Sequence, residues 1–266
     1  MEPATMDARP PGPPFSEPIG VFDSGVGGLT VLEALRRALP GRDFLYFGDT
    51  ARVPYGSKPP ELVRRFAWEI SGFLLRQGAV ALVVACNTAS SLALADLERL
   101  GVPVFGVIDP AVAEAVRYRH VGVIGTRATV ASRAYQRRLE ADDRRVWALA
   151  TPLFVPIVEE GLWNDGVAEL VARHYLEAAP ADLEALILGC THYPYLKPLL
   201  QRLRPGLHLI DSAEPTARAV ARALPAGQGE GQVVHYVSGD PEAYRALAAR
   251  LGVRAEDVRK VELGEL

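Results

Sequence analysis

Cysteine is scarce in this chain: only Cys86 and Cys190 occur among 266 residues. So few thiols exclude a small secreted fold held together by disulfide bonds. No stretch resembles a signal peptide. We therefore expect the protein in a reducing cytoplasm, where both thiols stay free.

Long apolar runs and a strong charge bias are also missing. No uninterrupted apolar run reaches the roughly 18 residues that a membrane-spanning helix needs, so we expect no membrane partner. The net charge is only −3. A balance so close to neutral gives no electrostatic reason to expect nucleic acid as a partner.

Proline is concentrated at the start of the chain, at positions 3, 10, 11, 13, 14 and 18. This composition predicts a disordered leader over residues 1–18. From Ile19 onward, short apolar runs alternate with helical patterns. The expected elements include a strand over residues 102–108 and one helix over about residues 129–140. Such alternation predicts the α/β class, with mostly parallel sheets between layers of helices.

The sequence also repeats itself over a long interval. Ile19-Gly-Val-Phe22 resembles Val121-Gly-Val-Ile124, 102 residues further on, and the two cysteines lie 104 residues apart. Coincidence between generic strands is the alternative, whereas two similar domains explain both offsets. We therefore predict two similar three-layer α/β domains, related by a pseudo-twofold axis, with the active site in the cleft between them.

The two cysteines follow apolar runs of the same kind. Cys86 follows the run Val80-Ala-Leu-Val-Val-Ala85, and Cys190 follows Leu186-Ile-Leu-Gly189. Each would lie at the carboxyl end of a buried parallel strand, where ligands of α/β sheets gather. At Cys86 the start of the next helix would lower the thiol pKa.

Three chemistries compete for this pair. The first is proton transfer on both faces of a carbon acid, with one thiolate as base and one thiol as acid. The second is a zinc site of Cys86, Cys190 and His192, although no close ligand pair supports it. The third is nucleophilic catalysis by one thiolate with His192 as base, which leaves the other cysteine without a role. His192 could also be a structural histidine.

Three further stretches contain polar residues at positions suited to a site. Asp23-Ser-Gly-Val-Gly-Gly28 lacks the spacing of a phosphate-binding loop, and Asp23 suits either a ligand ammonium group or a turn cap. Pro54-Tyr-Gly-Ser57 could bind a carboxylate through backbone N–H groups, or could be a plain turn. Glu159 and Glu160 end an apolar segment, which is typical of a solvated helix start unless one acid enters the cleft.

Together these stretches resemble the glutamate racemases of the cofactor-independent aspartate/glutamate racemase superfamily. The resemblance rests on seven motifs in the family's order: Phe22-Asp-Ser-Gly-Val-Gly-Gly-Leu29, Tyr46-Phe-Gly-Asp-Thr50, Val53-Pro-Tyr-Gly-Ser57, Ala85-Cys-Asn-Thr-Ala89, Phe154-Val-Pro156, Gly189-Cys-Thr-His-Tyr-Pro194 and Leu209-Ile-Asp-Ser-Ala213. It implies interconversion of L- and D-glutamate, which supplies D-glutamate for peptidoglycan. Aspartate or another acidic amino acid is the alternative substrate.

The resemblance also implies the domain bounds and the roles of individual residues. The first domain would span residues 19–109 and 217–266, and the second residues 110–216. Cys86 would work on the α-proton of D-glutamate and Cys190 on that of L-glutamate. Their acidic or basic neighbours would be Asp23, His192 and Glu159, the last preferred over Glu160. Substrate contacts would be Asp23, Ser24, Tyr55, Gly56, Asn87, Thr88, Thr191 and His192.

The expected protein uses no cofactor and no metal. Pyridoxal phosphate requires a Schiff-base lysine, and the chain has only Lys58, Lys197 and Lys260, none in a suitable motif. The family further implies a homodimer.

Overall fold

The structure is a computed structural model that describes residues 17–140 and 144–263. Residues 1–16 of the predicted leader lie outside this part of the chain. The described strands are β1 (Ile19–Asp23), β2 (Phe44–Gly48), β3 (Ala81–Val84), β4 (Val104–Gly106), β5 (His120–Gly125), β6 (Arg145–Ala150), β7 (Ala185–Gly189), β8 (His208–Asp211), β9 (Val233–Val237) and β10 (Asp257–Lys260).

Helices connect these strands. The α-helices are α1 (Leu29–Ala38), α2 (Pro60–Arg76), α3 (Asn87–Leu97), α4 (Ile108–Ala115), α5 (Arg127–Ala131), α6 (Ala134–Glu140), α7 (Phe154–Glu159), α8 (Gly166–Glu177), α9 (Lys197–Leu203), α10 (Ala213–Ala223) and α11 (Pro241–Arg250). Short 3₁₀ turns occur at Tyr55–Ser57, Glu98–Leu100 and Tyr193–Leu196. No helix in the two described ranges is both long enough and apolar enough to cross a bilayer.

The strands form two sheets in which every described pairing is parallel. The first sheet has the order β10-β9-β2-β1-β3-β4, and the second has the order β6-β5-β7-β8. The order β2-β1-β3-β4 in the first therefore recurs in the second. Cys86 follows β3 and Cys190 follows β7, so the two cysteines occupy equivalent places. The predicted α/β fold with two parallel sheets is confirmed.

The sheets draw on different parts of the chain. The first takes its strands from residues 19–106 and 233–260, and the second from residues 120–211. The domain boundaries near residues 109 and 216 stay predictions, since strand membership alone does not fix them.

Strand β1 shows how the layers are built. All five of its residues are buried, as expected for a strand paired on both edges and covered on both faces. Val21 packs into a core that also contains Leu186 and Leu188 of β7. Phe22, on the opposite face, packs into a second core with Val63 of α2 and residues of α3. One core is thus shared by both sheets.

Two predicted elements were wrong in their extent. Residues 102–108 form only the short β4, and α4 begins at Ile108 with Pro110 in its first turn, where a missing N–H is tolerated. The helix expected over residues 129–140 is divided into α5 and α6. Arg133 lies between them with a φ of 55°, and this left-handed conformation interrupts a right-handed helix.

Candidate active site

One cavity of about 360 Å³ lies at the carboxyl ends of strands from both sheets. Ten of the eleven predicted site residues line it: Ser24, Tyr55, Gly56, Cys86, Asn87, Thr88, Glu159, Cys190, Thr191 and His192. The eleventh, Asp23, lies behind the wall. The fold therefore brings both thiols into a single pocket, which is the arrangement that opposed acid/base groups require.

The Cys86 side chain caps α3. Its Sγ accepts a hydrogen bond from the N–H of Ala89 at 3.5 Å. Burial nevertheless raises the pKa of the Cys86 thiol to about 12, and the nearby charge of Asp23 adds to the rise. The expected lowering by the helix start was wrong, because loss of solvent outweighs a weak hydrogen bond to sulfur. Cys86 is therefore a thiol at neutral pH.

Asp23 is fully buried at the end of β1. Its carboxylate accepts hydrogen bonds from the N–H of Gly25 at 2.9 Å and from Oγ1 of Thr191 at 3.3 Å. Burial raises the pKa of Asp23, and the positive charge of His192 opposes this rise. Asp23 thus holds the turn after β1 and also connects it to the segment that contains Cys190. It contacts the cavity through Thr191 and not directly.

Cys190, His192 and Glu159 form a chain of polar contacts. Cys190 Sγ lies 3.8 Å from Nδ1 of His192, and Nε2 of His192 lies 3.0 Å from Oε1 of Glu159. Burial lowers the pKa of His192, but hydrogen bonds to Cys190 and Glu159 outweigh it and raise the pKa to about 10. At neutral pH His192 is therefore an imidazolium, with its Nδ1 facing the Cys190 sulfur.

The absence of a side chain at Gly27 leaves space for the His192 ring. A Cβ added to Gly27 would lie 2.5 Å from Nδ1 of His192, so the position requires glycine.

Glu159 is the last residue of α7, and its carbonyl accepts a hydrogen bond from Arg250 at 2.7 Å. The alternative of a solvated helix start was wrong: a helix ends here, and Glu159 contacts His192 while Glu160 is exposed.

The segment after Cys86 supplies neutral polar groups. Asn87 Oδ1 accepts a hydrogen bond from the Tyr135 hydroxyl at 2.5 Å. Asn87 Nδ2 is buried and has no partner among the described residues. Because an unpaired buried donor is costly, this amide is suited to a substrate carboxylate. Oγ1 of Thr88 lies 2.9 Å from Oγ1 of Thr126, which also lines the cavity.

Tyr55 and Gly56 belong to a loop that closes one side of the cavity. The Tyr55 hydroxyl donates to Asp49, which also accepts hydrogen bonds from Arg52 and Ser238. Tyr55 therefore lines the cavity while its hydroxyl is held by Asp49, a residue that does not line it. Gly56 packs closely against Thr126: a Cβ added to Gly56 would lie 2.5 Å from the Cβ of Thr126.

Thr126 and Arg127 line the cavity and were missed from the sequence. They follow β5, the strand that corresponds to β1 in the repeated order. The strand-end rule applied to Cys86 and Cys190 would have found them. Their motif, Gly125-Thr-Arg127, contains no cysteine, histidine or acid to draw notice.

The geometry bears on the alternative chemistries. Within residues 17–140 and 144–263, no three His, Cys, Asp or Glu side chains cluster as metal ligands do, which gives the zinc hypothesis no support. The Cys190–His192 contact suits a nucleophilic thiolate. That chemistry leaves Cys86, on the same cavity, unexplained.

Comparison with protein families gives the decisive observation. The family model described as Asp/Glu/Hydantoin racemase matches residues 19–220. The chain belongs to this racemase family. Racemases are isomerases, and the family assignment made from the motifs is confirmed.

Individual members of the racemase family are highly similar to this chain. A glutamate racemase of Thermus thermophilus is 68% identical over 255 residues, which covers 94% of this chain and 98% of that protein. A crystal structure of glutamate racemase from Thermus thermophilus in complex with β-chloro-D-alanine has a TM-score of 0.87 at 66% identity, covering 92% and 97% of the two chains. The glutamate racemase of Francisella tularensis in complex with D-glutamate also has a TM-score of 0.87, at 33% identity, covering 93% and 98%.

Proposed function

We propose that this racemase interconverts L- and D-glutamate by proton transfer between the substrate and two thiols, Cys86 and Cys190. The observation that carries the proposal is that both sulfurs line one cavity, each after the equivalent strand of its sheet. Racemisation requires removal of a proton from one face of Cα and delivery of a proton to the other. Two opposed groups achieve this without turning the substrate over.

In the L-to-D direction, Cys190 acts first as the base. Its thiolate forms an S–H bond with the α-proton of L-glutamate, and the electron pair of the broken C–H bond stays on Cα. Cys86 then gives its thiol proton to the opposite face of Cα and becomes a thiolate. The D-to-L direction reverses these steps. The resting thiol at Cys86 and the imidazolium beside Cys190 suit the L-to-D direction.

Neighbouring residues prepare the two thiols. His192, held by Glu159, stabilises the Cys190 thiolate before it takes the proton. Asp23 acts as a positioning residue through Thr191, and its charge keeps the proton on Cys86. The free Nδ2 of Asn87 would donate to a substrate carboxylate, where negative charge develops during carbanion formation.

Glutamate is preferred over aspartate because relatives at 68% and 33% identity are glutamate racemases, and one of them binds D-glutamate. The expected cellular role is supply of D-glutamate for peptidoglycan. A cytoplasmic location suits this role, since both thiols must stay reduced. The homodimer remains a prediction. Racemisation of L-aspartate in the absence of any activity on L-glutamate would overturn the substrate proposal.

The decisive experiment follows the circular dichroism of L- and D-glutamate with wild type, Cys86→Ala and Cys190→Ala. Each variant should lose racemisation while keeping the wild-type melting temperature. In D₂O at low conversion, the wild type should place deuterium in the product but not in recovered substrate. Equal deuterium in both would indicate a single base, and substantial turnover by either variant would contradict the two-thiol mechanism.

A further inference from the structure

The cavity contains one uncommitted cation. Arg127, at the start of α5, is the only lysine or arginine among the cavity-lining residues that the structure describes. Its side chain is exposed and has no hydrogen-bond or ion-pair partner in the described ranges. Two arginines that follow it in the chain differ: Arg133 pairs with Glu140, and Arg138 pairs with Asp109. Arg127 is therefore available to a ligand.

A neighbouring cavity is also lined by positively charged residues. A second cavity, of about 410 Å³, shares Gly56, Ser57 and Arg127 with the first and is lined by Lys58 as well. No acidic residue is among the described residues that line it. In the first cavity the one acid, Glu159, is paired with His192. The two cations are thus not neutralised by an acid at the mouth.

We propose that Arg127, assisted by Lys58, recruits the substrate by binding one of its carboxylates at the mouth of the cavity. The inference rests on the proposed function, because glutamate has two carboxylates and one ammonium group and so carries net negative charge. The inner wall offers hydroxyl and amide groups to a carboxylate, and its one cationic group, His192, is already paired with Glu159 and Cys190. A guanidinium group adds the missing attraction and can bind a carboxylate with two hydrogen bonds.

This role has an electrostatic signature. Attraction between exposed charges raises the association rate and is screened by salt over a Debye length of about 10 Å at 0.1 M. For wild type, kcat/KM should therefore fall as NaCl rises from about 0.02 to 0.5 M. Loss of Arg127 should weaken that dependence as well as the activity at low salt.

The test compares Arg127→Ala with Arg99→Ala, which removes the same charge from an exposed site that lines neither cavity. At low salt Arg127→Ala should reduce kcat/KM for glutamate about fivefold, chiefly through KM, with a shallower salt dependence. Arg127→Lys should retain the salt dependence and recover part of the activity. Arg127→Glu should be worse than Arg127→Ala, and Arg99→Ala should match wild type.

Two failures are distinguishable. If wild type does not racemise glutamate, the proposed function fails. If wild type racemises glutamate but Arg127→Ala and Arg99→Ala have the same kcat/KM and salt dependence, the recruitment role of Arg127 fails while the proposed function stands. A wild-type kcat/KM that is independent of salt would also overturn the recruitment role.

Discussion

His192 and Glu159 contact each other in the wall of the cavity, with Nε2 of His192 3.0 Å from Oε1 of Glu159. His192 lies in the segment after β7, and Glu159 lies in the last turn of α7. Together with Cys190, Glu159 holds the pKa of His192 at about 10 against the opposing effect of burial. The charge state of His192 at physiological pH thus depends on a residue 33 positions away in sequence.

Glu159→Gln should move the basic limb of the pH profile to lower pH. The proposed mechanism needs His192 protonated, so activity falls as pH rises through its pKa. Replacing a carboxylate by an amide removes the opposite charge and lowers that pKa, by about one unit for a partly buried pair. The measurement is kcat/KM against pH between about pH 7 and 11, where kcat/KM reflects groups of the free enzyme.

Glu160→Gln is the matched control, because Glu160 is adjacent but exposed. Its profile should coincide with that of wild type. L- and D-glutamate have equal free energies, so kcat/KM must stay equal in the two directions for every variant. An unmoved basic limb in Glu159→Gln would contradict the role assigned to the pair.

Asp23→Asn should make the Cys86 thiol easier to ionise. Burial is the main reason that the Cys86 pKa is about 12, and the charge of Asp23 is the next. An uncharged amide removes the second contribution, so the thiolate forms at lower pH. Alkylation of Cys86 by iodoacetamide, measured against pH in a Cys190→Ala background, should then begin at lower pH.

A second buried acid tests whether the Asp23 effect is specific. Asp43 accepts hydrogen bonds from the N–H groups of Glu230 and Gln232 and does not line the cavity. Asp43→Asn should leave the alkylation profile unchanged. The interpretation fails if both variants shift the profile equally, since general loosening of the first sheet would then be the cause.

The sequence predicted those features that depend on strand pattern and position. The alternation of strands and helices was predicted correctly, and the strand-end rule placed Cys86 and Cys190 correctly. The rule works because parallel strands end at one edge of the sheet. The same rule places Thr126 and Arg127 at the end of β5, but they were missed because their motif contains no cysteine, histidine or acid.

Other features depend on tertiary environment that no local pattern contains. The pKa of Cys86 is set by burial, which overrides the helix start beside it. The break between α5 and α6 lies at Arg133, a residue type that does not predict a positive φ. Glu159 reaches His192 only because α7 ends where it does. Each depends on contacts between distant segments.

Tyr55→Phe should weaken substrate binding without preventing folding. The Tyr55 hydroxyl donates to Asp49, while Asp49 keeps its contacts with Arg52 and Ser238. Losing one partner of a buried hydrogen bond costs about 1 kcal/mol of unfolding free energy and frees the loop that contains Gly56. KM should rise severalfold, with a smaller change in kcat and a modest fall in melting temperature.

Tyr236→Phe provides the comparison for Tyr55→Phe. Its hydroxyl donates to Gln77 at 3.3 Å, and neither residue lines the cavity. The control should change the melting temperature at most and leave KM as in wild type. If both variants alter KM alike, or neither does, the Tyr55–Asp49 bond does not position the substrate loop.

Gly56→Ala should distort the cavity, because Gly56 packs closely against Thr126 and both residues line it. An added Cβ would lie 2.5 Å from Cβ and 2.8 Å from Cγ2 of Thr126, so either the loop or the start of α5 must move. A displacement of about 1 Å in a site that positions a substrate can cost on the order of 100-fold in rate. We expect kcat/KM to fall at least tenfold, whereas Gly206→Ala, which has no atom within 4 Å of an added Cβ, should match wild type.

A Thr126→Gly background separates the clash between Ala at position 56 and Thr126 from any other effect of the methyl group that Gly56→Ala adds. With the Thr126 side chain removed, the Cβ added at position 56 no longer meets those atoms. Thr126→Gly alone should lower activity, because Thr126 caps α5 and bonds to Thr88. Adding Gly56→Ala to it should cost much less than in wild type, and this coupling is read from a double-mutant cycle of kcat/KM. Strictly additive losses would show that the two residues do not interact across the cavity.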